Sequence, residues 1–138
     1  MKYNNINVSI VKGWKGLDII RYGNVYMTVT DMERGLPLYL NCIGKWANQY
    51  PIERKEGFPD YQWIQCTAGQ GILEMGDVRL TVGPGQGMLL FPHVPHQYYA
   101  QIEPWEVRWV AFNGTCVEMI LRSLQFEESC VITLSNPD

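Results

Sequence analysis

The chain holds two histidines, His93 and His96, set three residues apart in the stretch "FPHVPHQYY". Imidazoles at close spacing raise the question of a metal, but a transition-metal site needs three or four imidazole, thiolate or carboxylate ligands. No second histidine pair completes such a shell. Pro92 and Pro95 lack the N–H a sheet ladder requires, so the stretch reads as a tight turn that leads Tyr98 and Tyr99 into a strand. His96 is then a hydrogen-bonding or ligand-contacting residue, and no metal or other cofactor is expected. Nucleophile chemistry has no better footing, since no G-x-S-x-G elbow is present. Cys42, Cys66, Cys116 and Cys130 are far apart with no C-x-x-C, which reads as four reduced thiols packed as small hydrophobes.

What remains is chemistry of binding. In "WEVRWVAF", strand alternation puts Trp105, Val107, Trp109 and Ala111 on one face and Glu106, Arg108 and Val110 on the other. The charged face belongs in water, so the tryptophans point inward. Indoles, a tyrosine and a guanidinium meeting inside a small barrel, with Arg54 the candidate charge, favour a flat, hydroxyl-bearing guest, because rings stack on apolar sugar faces while polar tips bond hydroxyls.

The elements that must position these groups are strands. Apolar stretches recur about every eight to twelve residues between Gly, Pro, Asn and Asp, the punctuation of an all-β sandwich or barrel. Strands are expected at "NVYMTVT" from Asn24, "LPLYLNCI" from Leu36, "YQWIQCTA" from Tyr61, "ILEM" from Ile72, "DVRLTV" from Asp77, "GMLLF" from Gly87 and "WEVRWVAF" from Trp105. Gly76-Asp77 reads as a two-residue hairpin link, with Val78, Leu80 and Val82 inward. After Gly114 the period changes. Val117, Ile120, Leu121 and Leu124 share one helical face, and Thr115 with Glu118 makes a capping box, so an amphipathic helix of about three turns is expected.

Composition bounds the rest. The 138 residues fit one domain, and 46% hydrophobic residues suffice for a core. A formal charge of −3 with no basic cluster excludes a phosphate-backbone surface on this segment. No apolar run approaches the roughly 20 residues of a membrane helix, and no signal peptide opens the chain, so a cytoplasmic setting without membrane contact is expected. The abrupt end in "SNPD" reads as a fragment.

The ordered set of an arginine before a "DY" strand, a G-x-G turn, "LLFP…PH-x-Y" and "W-x-x-x-W-x-x-F-x-G", over about residues 36 to 135, resembles the effector-binding domain of AraC-type bacterial transcription regulators. The resemblance implies a cupin-type jelly-roll barrel with one C-terminal amphipathic helix: an N-terminal arm over 1–20, the barrel over 21–114, and the start of a dimerisation region over 115–138. It implies a small effector, often a sugar or polyol, a homodimer, and DNA contact only through a C-terminal domain missing here. Arg54, Tyr98 and Trp109 match the family's ligand contacts. Val107 stands where the arabinose sensor has a histidine, so the likeness does not extend to arabinose. His96 and Trp105 complete the candidate ligand-binding set, with Tyr3 and Trp14 in the arm. The function implied is effector sensing and dimerisation rather than catalysis. The alternatives are a metal-dependent cupin isomerase or dioxygenase, and a dimerisation module whose interior is filled by its own aromatics.

Overall fold

A computed structural model describes residues 24–136. The expected arm over 1–20, with Tyr3 and Trp14, lies outside the described residues. Eight strands and two short helices follow one another as β1 (Val25–Tyr26), α1 (Asp31–Arg34), β2 (Tyr39–Trp46), β3 (Ile52–Arg54), β4 (Tyr61–Met75), β5 (Val78–Val82), β6 (Gln86–Leu90), β7 (His96–Asn113), α2 (Val117–Ser123) and β8 (Cys130–Thr133). The all-β expectation holds.

The sheet is built on its two long strands. β4 and β7 pair antiparallel along most of their length, with register shifts between Cys66 and Gly71 that bend both. Beyond the bend each strand takes a different outer neighbour. β7 pairs β3 through its first residues and β2 through its last. β4 pairs β6 through its first residues and β5 through its last. β8 adds to β6, which brings the segment after α2 back into the same sheet. The curled inner face carries a core of Ile64, Cys66, Leu73, Val82, Met88, Leu90, Tyr98, Trp105 and Val107.

Three indoles lie over glycines, those of Trp105 and Trp109 at this core and that of Trp63 outside it. A Cβ at Gly44 would stand 2.6 Å from the Trp109 ring, at Gly71 2.1 Å from Trp105, and at Gly87 2.3 Å from Trp63. Each glycine is therefore a space that a ring occupies.

Local chemistry explains where expectation and structure part. Met75 and Val78 pair across the Gly76-Asp77 turn, and Gly76 takes φ +56, so the hairpin forms as expected. Val82 is buried and Leu80 half-buried, but Val78 is 50% exposed, because it sits at the hairpin tip past the cover of the barrel. The strand expected from Asn24 is reduced to Val25–Tyr26, since Thr30 and Glu33 cap each other and start α1 instead. The helix expected after Gly114 is shorter, and its Thr115–Glu118 capping box does not form. The N-cap is Cys116, without a side-chain cap, while the Thr115 hydroxyl donates to the Leu36 carbonyl at 3.4 Å. Gln125 takes φ 66 just beyond and ends it.

Candidate functional site

Residues 91–95 form the turn their prolines predict, and β7 begins at His96. His93 is exposed and takes φ 60, and its N–H donates to the Phe58 carbonyl at 2.8 Å. Gly57, at φ +72, lies so close to this turn that a Cβ would meet the His93 backbone at 2.5 Å. The loop from Arg54 to Phe58 is thereby fastened beside the start of β7. His96 and Tyr98 then alternate inward and are buried.

Arg54 and His96 are cross-strand partners, and Tyr98 pairs with Ile52. Arg54 Nη1 lies 3.1 Å from Gln62 Oε1, 3.4 Å from the Tyr98 hydroxyl oxygen and 3.4 Å from His96 Nε2. The guanidinium carbon stands 4.8 Å from the centre of the Phe58 ring and 5.9 Å from that of Tyr98, within cation–π range. His96 Nδ1 is 2.8 Å from the Val94 carbonyl, which can only accept, so the proton sits on Nδ1 and Nε2 turns a lone pair toward Arg54. Burial lowers the His96 pKa, and Arg54 lowers it further, which keeps the ring neutral. Burial raises the Tyr98 pKa, so it remains a phenol. Its oxygen accepts from Arg54 and leaves the O–H free to donate.

Of the residues expected from sequence, the structure brings Arg54, His96 and Tyr98 together. Trp105 joins them from behind, edge-on to Tyr98 at 6.1 Å and fully buried. Val107 lies deeper in the core cluster. Trp109 is half-buried against Gly44 of β2. Gln62 and Phe58 complete the cluster without having been singled out. Gln62 was legible: it shares a strand face with buried Ile64 and Cys66, where a polar side chain needs a partner.

A groove of about 320 Å³ opens at this end, lined by Glu53, Arg54, Lys55, Glu74, Gly76, Pro95, His96 and Gln97. Glu74 is held by Gln97, by the Tyr99 hydroxyl at 2.9 Å and by Arg79 at 3.6 Å. Elsewhere in the interior Asp60 accepts from Asn41 at 2.6 Å and Asn113 at 2.9 Å. Burial, then Asp60, pushes the Cys42 thiol up to about 11, and burial raises Cys66, so both stay protonated and unreactive. Among the described residues no three His, Cys, Asp or Glu side chains gather as a metal site, and no helix is long and apolar enough to cross a membrane.

A curled antiparallel barrel with a polar cluster at one end is a fold of the cupin type. The AraC-like ligand binding domain family matches residues 45–138, and the chain belongs to that family. Among solved structures it is similar to apo ToxT K231A from Vibrio cholerae strain SCE256, with TM-score 0.53 and 11% identity over 74% of this chain and 44% of ToxT. It is also similar to YhaK from Escherichia coli, with TM-score 0.57 and 9% identity over 84% of this chain and 52% of YhaK. At such identities the likeness concerns the fold, and the chain spans about half of each protein. No curated protein matches the sequence.

Proposed function

We propose that this chain is the effector-sensing and dimerisation domain of an AraC-type transcription regulator and that it binds a small sugar or polyol. The observation that carries this is the meeting of Arg54, Gln62, His96 and Tyr98, from three strands, beside an open groove. Such a set offers donors and an acceptor at fixed positions, which suits a guest with several hydroxyls. Trp105 and Val107 hold the tyrosine from behind, and Trp109 offers its ring at the Gly44 end. Dimerisation is supported by α2, whose Ile120 and the following Leu124 leave apolar surface exposed. DNA contact belongs to another segment of a longer regulator, and the domain works where that regulator meets DNA, in the cytoplasm.

Effector binding acts by shifting the regulator between states through its difference in affinity for them, typically about 1–3 kcal/mol. Calorimetric titration and thermal shift with a panel of sugars and polyols test this. Stabilisation that is weakened in Arg54→Gln or Trp109→Ala is expected. Absence of stabilisation by every carbohydrate, with both variants behaving like the parent chain, overturns it.

One finding favours a second reading, the dimerisation module with a self-filled interior: Trp105, Val107 and Tyr98 lie in the packed core. Under that reading no small molecule shifts the melting temperature, while the oligomeric state is unchanged.

A further inference from the structure

Among the described residues Arg54 is a cation without a charged partner. Its three polar contacts all fall on Nη1, and all are to uncharged groups: an amide oxygen, a phenol oxygen and the lone pair of a neutral imidazole. Two of the three are long at 3.4 Å. Nε and Nη2 have no hydrogen-bond partner among the described residues, and neither is a donor sealed from solvent. No carboxylate among the described residues forms an ion pair with Arg54. The Nε/Nη2 edge is the side of a guanidinium that matches the two oxygens of a carboxylate in a fork.

The surroundings hold that edge in place. The Phe58 and Tyr98 rings stand beside the guanidinium, Gln62 takes Nη1, and the half-buried side chain borders the groove.

We infer that the effector is a polyhydroxy monocarboxylate, such as an aldonic or uronic acid, whose carboxylate binds the Nε/Nη2 edge of Arg54. The inference rests on the sugar or polyol reading and adds the charge. The Tyr98 hydroxyl, whose oxygen accepts from Arg54, supplies a donor for an adjacent hydroxyl of the guest.

Matched probes test it by calorimetry on the full chain: D-gluconate against D-glucitol, D-galacturonate against D-galactose, and acetate alone. Each acid is expected to bind on the order of tenfold to a hundredfold tighter than its neutral counterpart, the range of a charge-assisted hydrogen bond. Arg54→Gln abolishes that ratio, and Arg54→Lys, which keeps charge but loses the fork, keeps a part of it. Equal affinity for acids and neutral counterparts overturns this inference and leaves the sugar reading standing. Binding of acetate and the acids to the same degree supports the carboxylate contact and removes the sugar reading. Binding of none of the probes overturns both. The ratio is measured on the unmodified chain, so a variant that fails to fold does not shield the proposal.

Discussion

Two buried polar centres in this barrel are built on opposite plans. Asp60 sits between Asn41 of β2 and Asn113 at the end of β7, with one oxygen for each amide. That charge is spent on joining strands. Arg54, beside the other end of β7, is satisfied on one nitrogen and, among the described residues, open on its remaining edge. A polar group whose hydrogen bonds are closed by the protein contributes to stability, and one left partly open is available to a ligand. The difference lies in which atoms are engaged: both oxygens of Asp60, but one nitrogen of Arg54.

Removing the first centre has the largest expected effect. Asp60→Ala leaves two amides without their acceptor and lowers unfolding stability by about 2–3 kcal/mol, read by chemical denaturation, with little change in binding. Arg54→Gln separates the two centres in the opposite sense. Stability changes by less than about 1 kcal/mol, because only one short bond is lost, while affinity for any effector falls on the order of tenfold or more. A stability loss equal to that of Asp60→Ala would show that Arg54, too, is structural.

Tyr98→Phe keeps the ring between His96 and Trp105 and deletes only the hydroxyl. A stability cost of about 1 kcal/mol or less is expected, together with weaker effector binding. The smallest effect is one of pH. Burial depresses the His96 pKa below its ordinary 6.5, so the unfolded chain takes up the proton more readily than the folded one. The stability from neutral His96 is present above pH 6.5 and is lost as pH falls through the depressed folded-state value. Melting curves between neutral and mildly acidic pH should fall less steeply for His96→Gln than for the parent chain.

Much of the barrel was legible because alternation and turns are local. The Gly76-Asp77 hairpin and the inward face of Trp105, Val107 and Ala111 follow from neighbours in the chain. β3 was not legible, since "IER" carries two charges in three residues and is a strand only because β7 accepts it. Nor did the sequence show that β4 and β7 are continuous, for each passes through glycine or proline that elsewhere marks a break. In the site, Arg54 and His96 could be singled out by type and position, and Tyr98 through the family likeness. The Asp60 centre could not, because its partners lie 19 and 53 residues away and no periodicity announces a side-chain pair. The end of α2 was equally hidden, as Gln125 takes a left-handed conformation usually marked by glycine.

Because an indole lies flat over each of Gly44, Gly71 and Gly87, those positions cannot drift alone. Any side chain at Gly71 evicts Trp105, and shrinking Trp105 opens a void at the bend of β4. Descendants of this sequence must therefore exchange both members of a pair together, or neither. The three couples form a record of ancestry that outlasts the identity of whatever the barrel binds.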